Sequence, residues 1–235
     1  MSVLTRLLWK SLSRQNRDYF LSKVPAHEQG PYNKILSNRA EFPAAYDTNK
    51  VVFIHVPKVA GSSLVNPLLE GKWVGHLPLS YIESFQDSRY QDYLKVGFVR
   101  NPWSRLVSAF NYLSSGGAPK RDGKWVDMVN GFSDFNDFVE HWLSPENIYK
   151  QMLFVPQLDF LTNSTGAIGV DYLGRFETIE SDFDEISKKL KIKSNLPRNN
   201  VGTKVDYRIL FSDKSAEKVA EIYRQDISAF GYKFD

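Results

Sequence analysis

The stretch Val51–Leu69 constrains the fold of this chain more than any other part of it. It reads VVFIHVPKVAGSSLVNPLL. Its first residues, Val51–Val56, form an apolar, β-branched run of strand length, and Pro57 ends that run. Between positions 64 and 69, apolar residues recur at helical spacing. The stretch therefore predicts a strand, a short loop and a helix.

The loop between this strand and helix has the composition of an anion site. Lys58 supplies a positive charge, Gly61 lets the backbone approach a ligand closely, and Ser62 and Ser63 carry hydroxyls. A helix N-terminus adds N–H groups and a positive dipole end. The order differs from a Walker A loop, in which Lys follows the second Gly directly. Taken alone, the loop is equally compatible with an ordinary strand–turn–helix that carries a surface lysine.

Composition narrows the class of protein. The chain has 235 residues, a length typical of one domain with an extra segment or of two small domains. Aromatic residues make up 14%, which argues against disorder. The net charge of +3 is too small to indicate a nucleic-acid partner, and it does not oppose an anionic ligand. Since there is no cysteine, disulfides, thiolate metal sites and cysteine nucleophiles are excluded.

The N-terminal segment is expected to differ from the rest. Residues 3–24 show the pattern of an amphipathic helix, which we expect to pack on the domain or on a second subunit of a homo-oligomer rather than on a membrane surface. Residues 25–50 carry prolines and a glycine and are expected to be irregular. We therefore divide the chain into an arm, 1–50, and a domain, 51–235. No apolar run approaches the ~20 residues of a transmembrane segment, and no signal peptide is seen, so a soluble, cytoplasmic protein is expected.

Strands and helices alternate along the domain, which predicts an α/β fold with a central parallel sheet flanked by helices. Ligands of such sheets bind beyond the carboxyl ends of the strands. Lys58 and Arg100 both follow a predicted strand directly. The expected strands after the first are Lys95–Val99 and Val170–Phe176, with a short strand and turn at 72–78, a loop at 114–124, and helices at 102–113, 134–143, 181–190 and 212–230.

Two motifs carry a resemblance to a known family. They are FIHVPKVAGSSL, at 53–64, and VRNPWSRLVSA, at 99–109. Further similar pieces are LGRFE from Leu173, DYR from Asp206 and AFGY from Ala229. Together they resemble the sulfotransferases that use 3′-phosphoadenosine 5′-phosphosulfate, in particular their carbohydrate (heparan-sulfate 2-O-like) branch. The resemblance covers residues 51–235 and implies a P-loop-like sulfotransferase fold.

The resemblance implies transfer of a sulfuryl group to a hydroxyl of a glycan or glycoconjugate, with no metal. It assigns Lys58 to the bridging oxygen of the leaving phosphate, where an ammonium stabilises the charge that develops in the transition state. The cradle for the 5′ end of the donor would comprise Lys58, Ala60, Gly61, Ser62 and Ser63. Val59 would contribute its backbone only.

The second motif is similar to the family's site for the 3′-phosphate. Arg100 would make a forked contact with the phosphate. Ser108 lies about two helical turns further on and would join it. Arg105 could also reach the phosphate, but it is expected to be solvated or paired with a carboxylate.

A hydroxyl acceptor needs a base. His76 stands at a position similar to the base of the 2-O branch, and a carboxylate, Glu83 or Asp159, is the alternative. His55 is expected to be a buried imidazole of the first strand, and His141 to be structural.

Other segments are assigned on weaker similarity. Arg175 and Phe176 resemble the segment that holds adenine, although a packed strand end explains them equally well. The segment NNVGTK resembles a loop that closes over the nucleotide, with contacts from Gly202, Thr203 and Lys204. The cations Lys120, Arg121 and Lys124 would meet an acidic sugar polymer, or form a solvated loop.

Two other functions are compatible with parts of the pattern. A P-loop kinase is disfavoured because the Gly-Lys-Ser/Thr order and a metal-holding aspartate after a strand are missing. A nucleotide- or glycan-binding protein without catalysis is disfavoured because Lys58 and His76 are both present.

Overall fold

The computed structural model describes residues 11–12, 41–193, 196 and 206–235. Apart from residues 11 and 12, the expected amphipathic helix lies outside this part of the chain, as do Gly202, Thr203 and Lys204. The strands are β1 (Val51–Ile54), β2 (Leu94–Val99) and β3 (Tyr172–Arg175). The α-helices are α1 (Gly61–Leu69), α2 (Leu79–Glu83), α3 (Arg89–Asp92), α4 (Pro102–Ser114), α5 (Pro119–Asn130), α6 (Phe135–His141), α7 (Gln157–Leu161), α8 (Ile179–Leu190), α9 (Asp213–Ile222) and α10 (Arg224–Phe230).

The three strands form a parallel sheet in the order β1-β2-β3, which confirms the predicted α/β class. Val51 pairs with Leu94, and the register continues to Ile54 and Gly97. All four residues of β1 are buried, as expected for a strand covered on both faces. Helix α1 packs on β1 and α8 packs on β3.

The chain forms two compact units. The first consists of the described residues within Met1–Val56, Ala60–Phe98 and Gln157–Pro197, and it contains the sheet apart from Val99. The second consists of the described residues within Pro57–Val59, Val99–Pro156 and Arg198–Asp235. Lys58 and Arg100 therefore belong to the second unit, although each follows a strand of the first. The division at residue 51 made from the sequence stays a prediction.

The second unit is built around an aromatic core. Phe138 and Phe154 are fully buried in it, and the ring of Trp142 lies 5.2 Å and 5.0 Å from these two. The hydroxyl of Tyr223, also buried, donates to the carbonyl of Phe154 at 2.7 Å. A polar tip that finds a partner inside an apolar core is the usual arrangement for a buried tyrosine.

Helix α4 begins at a well-defined N-cap. Asn101 is its N-cap, and the Asn101 side-chain oxygen accepts the backbone N–H groups of Trp103 and Ser104 at 3.1 Å and 3.4 Å. Pro102 follows at the first helical position, where its missing N–H costs nothing. The side-chain amide of Asn101 donates to the carbonyl of Lys233 at 2.8 Å, which ties the C-terminal segment to the helix start.

Part of the expected loop at 114–124 is helical, and this prediction was wrong. The turn is confined to the residues around Gly116 and Gly117, which have positive φ, and Pro119 then starts α5. Gly123 lies inside the helix. The packing of Trp125 and Val129 against the aromatic core outweighs the low helix propensity of glycine.

Other boundaries differ from the predicted ones. The closing helix is broken at Tyr223, whose backbone leaves the helical region between α9 and α10. The strand expected within 72–78 is not formed. The first strand stops at Ile54, two residues early, and the helices α2, α3 and α7 were not predicted. No helix in the described ranges combines the length and apolarity that crossing a membrane requires.

We predict that Asn101→Ala lowers the free energy of unfolding by about 2 kcal/mol. The loss combines a helix cap, which contributes about 0.5–2 kcal/mol, with a buried hydrogen bond to Lys233. Chemical denaturation of the wild type and the variant measures it. The matched control is Asp134→Ala, which removes an exposed cap holding one N–H group, that of Asp137. If both variants lose the same stability, Asn101 has no special role.

Candidate active site

Three cations of the second unit, Lys58, Arg100 and Arg105, lie together at the segment Pro57–Val59. Arg100 donates from one terminal nitrogen to the carbonyl of Lys58 at 3.3 Å, and from Nε to the hydroxyl of Ser104 at 2.9 Å. Arg105 donates from Nε to the carbonyl of Pro57 at 2.9 Å. The two guanidinium groups thus hold successive carbonyls of one short segment, and they concentrate positive charge there.

Arg105 is more important to this region than the sequence suggested. It was expected to be solvated or paired with a carboxylate; its burial shows that the first alternative was wrong, and the second stays a prediction. Arg105 is 2% exposed, and one of its terminal nitrogens also donates to the carbonyl of Val155 at 2.9 Å. Backbone carbonyls thus satisfy part of the hydrogen-bonding capacity of a buried guanidinium. No local pattern identifies such an arginine, because its partners lie about 50 residues away in the sequence.

The ammonium of Lys58 is the electrostatic focus of the cluster. Burial, and after it the charges of Arg100 and Arg105, lower the pKa of Lys58 to about 8. The Lys58 Nζ lies 4.3 Å from the ring centroid of Tyr112. At neutral pH most molecules still carry the charge, and because it is desolvated it attracts an anion more strongly than a surface lysine does.

Backbone conformation in the loop is unusual. Lys58 has φ 69° and Ala60 has φ 62°, the left-handed region that few non-glycine residues occupy. Such conformations cost on the order of 1–3 kcal/mol each and cluster at binding sites. Helix α1 then begins at Gly61, with Ala60 as N-cap, and the Ala60 side chain carries no acceptor for the first N–H groups of the helix.

In the first unit, Gly61 is needed for a reason that the sequence did not reveal. A Cβ at position 61 would overlap the imidazole of His55. His55 is 6% exposed, directly after β1, and no hydrogen-bond partner of its Nδ1 is found among the described residues. Close packing against an imidazole therefore requires glycine here, in addition to any approach of a ligand.

His76 is oriented by the backbone of His55. The Nδ1 of His76 lies 2.7 Å from the carbonyl of His55, and the two rings are 4.2 Å apart. A carbonyl only accepts, so this contact places a proton on Nδ1. In the neutral ring Nε2 then carries the lone pair, which is the form a general base needs.

Trp73 adds an exposed aromatic surface next to the two histidines. Its side chain is 53% exposed, and its ring lies edge-on to His55 at 4.6 Å and to His76 at 5.4 Å. Trp73 was not identified as a site residue from the sequence, because a tryptophan in the strand predicted within 72–78 is expected to be part of the core.

The remaining candidates lie in ordinary surroundings. Ser62 is exposed, Ser63 is buried, and Ser108 is half-buried on α4. Glu83 accepts the backbone N–H of Ser164 at 2.7 Å. Exposed His141 is paired with Asp137 at 2.6 Å.

The two residues that the sequence analysis assigned to adenine binding lie at the end of β3. Arg175 and Phe176 are both half-buried, and the backbone N–H of Arg175 donates to Asp182 at 2.8 Å. Their contact with a nucleotide stays a prediction.

The candidates therefore fall into two sets. The second unit holds Lys58, Arg100 and Arg105 together, and the first unit holds His55, Gly61, Trp73 and His76 together. No cluster of three or more metal-ligating side chains is found in the described part of the chain.

The comparisons with known proteins identify the class. The model of the sulfotransferase family matches residues 45–233, so the chain belongs to that family. It is 30% identical over 121 residues to an uncharacterized protein of Archaeoglobus fulgidus, a match that spans 51% of this chain and 86% of the archaeal protein. No solved structure matches significantly. The family implies a sulfonate donor and a hydroxyl acceptor.

The buried imidazole of His55 should make stability depend on pH. Burial, and then the charge of His76, lower the pKa of His55 to about 3. An unfolded histidine titrates near ~6.5, so between these values the unfolded state binds more protons. The contribution of His55 is complete above pH ~6.5 and is lost as the pH falls below that value.

Between pH 7 and pH 5 we expect the wild type to lose about 2 kcal/mol more stability than His55→Leu. Urea unfolding at several pH values measures the difference. His141→Ala, which removes an exposed imidazole, should keep the wild-type pH dependence. Equal slopes for wild type and His55→Leu would show that His55 is not held neutral by burial.

Proposed function

We propose that this protein transfers the sulfuryl group of 3′-phosphoadenosine 5′-phosphosulfate to a hydroxyl of a carbohydrate, in the manner of the heparan-sulfate 2-O-like branch. Membership of the sulfotransferase family supports the reaction class. The observation that carries the proposal furthest is the cluster of Lys58, Arg100 and Arg105, in which desolvation and mutual repulsion depress the pKa of the lysine. A polyanionic donor relieves that repulsion.

The two ends of the donor are assigned to different residues. Arg100 and Ser108 take the 3′-phosphate, and Arg100 is already oriented by its bonds to Lys58 and Ser104. The backbone from Ala60 to Ser63, at the start of α1, takes the 5′ side, where the helix dipole favours negative charge. Arg175 and Phe176 are proposed for adenine. Gly202, Thr203 and Lys204 are proposed for the loop over the nucleotide.

The reaction needs one proton acceptor and one stabilised leaving group. His76 Nε2 takes the proton of the acceptor hydroxyl, the oxygen forms a bond to sulfur, and the bond between sulfur and the bridging oxygen breaks. Lys58 stabilises the charge that develops on that bridging oxygen. Adenosine 3′,5′-bisphosphate leaves, and the acceptor carries the sulfate.

The surroundings of His76 support a sugar as acceptor. The C–H faces of a sugar ring are apolar and pack well on an aromatic ring, and Trp73 offers a half-exposed indole 5.4 Å from the imidazole of His76. Such a surface orients a pyranose while its hydroxyls stay free to reach a base. The acceptor sugar and the sulfated position are not fixed by this argument.

Donor recognition is tested by nucleotide binding. We expect adenosine 3′,5′-bisphosphate to bind about 10- to 100-fold more tightly than AMP, the range for one charge-assisted phosphate contact. Arg100→Ala should remove most of that difference, and Arg224→Ala, at an exposed arginine, should keep it. Calorimetry measures both affinities. Equal affinity of the wild type for the two nucleotides would refute the donor assignment.

The pH profile of single-turnover rates tests the base. A base must be deprotonated, so the rate should rise with pH through the range of an imidazole, ~6.5, and then level off. His76→Ala should lower the rate by ~10²–10⁴-fold and flatten the acid limb, with the affinity for adenosine 3′,5′-bisphosphate unchanged. His141→Ala should keep the wild-type profile. If His76→Ala keeps the acid limb, a carboxylate such as Glu83 is the base.

A further inference from the structure

The contact between Lys58 and Tyr112 has no role in the mechanism given above. The Lys58 Nζ lies over the Tyr112 ring, 4.3 Å from its centroid, which is within the range of a cation–π interaction. Both residues belong to the second unit. The residues that raise the local positive potential around the ammonium are Arg100 and Arg105. The ring face is thus an attractive partner for the ammonium, beside two like charges.

Tyr112 is itself held at both ends. Its hydroxyl donates to Oδ2 of Asp122 at 3.0 Å, and its carbonyl accepts the N–H of Gly117 at 2.9 Å. Asp122 is 2% exposed, and the same carboxylate oxygen accepts the N–H of Ala118 at 3.0 Å. The turn between α4 and α5 therefore fixes the two ends of the Tyr112 side chain and so the position of its ring. The ammonium of Lys58 lies over one face of that ring.

The position of Tyr112 on α4 relates it to the proposed phosphate site. Arg105, Ser108 and Tyr112 are separated by three and four residues, so they lie along one face of the helix. That face carries a cation, the serine assigned to the 3′-phosphate, and the ring under the lysine. One helix thus combines the groups that would meet the donor.

An aromatic face has an advantage over a carboxylate as a partner for this lysine. A carboxylate would cancel the charge of the ammonium and would repel an anionic donor. The ring attracts the ammonium through its quadrupole and leaves the full positive charge available. It also limits the rotamers of a flexible side chain before the donor arrives, so less entropy is lost on binding.

We propose that Tyr112 is a positioning residue that holds the ammonium of Lys58 ready for the donor, with Asp122 holding Tyr112. The proposal rests on the role given to Lys58 in the proposed function. A purely structural role for Tyr112 would predict losses that are independent of Lys58.

The first test is a double-mutant cycle on single-turnover sulfuryl transfer. Tyr112→Met and Tyr112→Leu both remove the ring, and the one that keeps the wild-type unfolding midpoint is used. We expect the rate to fall about 10-fold, because the cation–π energy of the free enzyme corresponds to roughly 2- to 30-fold. Affinity for adenosine 3′,5′-bisphosphate should change less than twofold. Tyr112→Phe, which keeps the ring, should retain most of the rate.

The cycle is closed in a Lys58→Ala background. There, removal of the ring should change the remaining rate less than twofold, because Tyr112 acts through Lys58. If the same loss appears with and without Lys58, the proposal is overturned. If Lys58→Ala is slow but the ring-less variant keeps the wild-type rate, the role of Tyr112 is overturned and that of Lys58 is not. If Lys58→Ala keeps the wild-type rate, the proposed function itself is wrong about Lys58.

The second test needs no acceptor or turnover. Trace acetylation of the free protein with acetic anhydride at pH 8, read by mass spectrometry, measures how accessible and reactive Lys58 is. We expect labelling of Lys58 to rise at least threefold in the ring-less variant and to stay within twofold in Tyr112→Phe, with exposed Lys150 as the internal reference. Equal labelling of Lys58 in all three proteins would show that the ring does not hold the lysine.

Discussion

The repulsion among Lys58, Arg100 and Arg105 is the interaction on which the chemistry proposed for this chain depends. Bringing three cations together, two of them bonded to carbonyls of adjacent residues, costs free energy in the unliganded protein. The lowered pKa of Lys58 reflects burial first and this repulsion second. The apolar core of the second unit and the cap at Asn101 hold α4, the helix that carries Arg105. The second unit thus stores an electrostatic preference for an anion.

The first unit shows a different kind of constraint, one of packing. At position 61 only glycine fits beside the His55 imidazole, because a Cβ would overlap the ring. The carbonyl of His55 fixes the tautomer of His76. His55, which has no proposed chemical role, therefore sets the geometry of Gly61 and His76, for which roles are proposed. Its burial explains why a histidine placed so close to a candidate base stays neutral over the working pH range.

Much of the fold was predictable from local pattern. The apolar run before Pro57 and the Asn-Pro start of α4 are strong signals, because each determines the local structure through residues adjacent in the sequence. The helix through Gly123 was missed because distant packing decided it. In the proposed site, Lys58 and Arg100 were named from motifs and strand ends, and His76 from the resemblance. The parts proposed for Arg105 and Tyr112 depend on partners distant in sequence, which no local pattern identifies.

The most direct test of the central claim is transfer of radiolabelled sulfate from 3′-phosphoadenosine 5′-phosphosulfate to a panel of glycans, with mass spectrometry of the products. The account predicts donor-dependent labelling by the wild type, and a rate at least ~10²-fold lower for Lys58→Ala, as expected when one preorganised charge is lost from the transition state. Lys150→Ala, at an exposed lysine, should match the wild type. Labelling by Lys58→Ala at the wild-type rate would contradict the account.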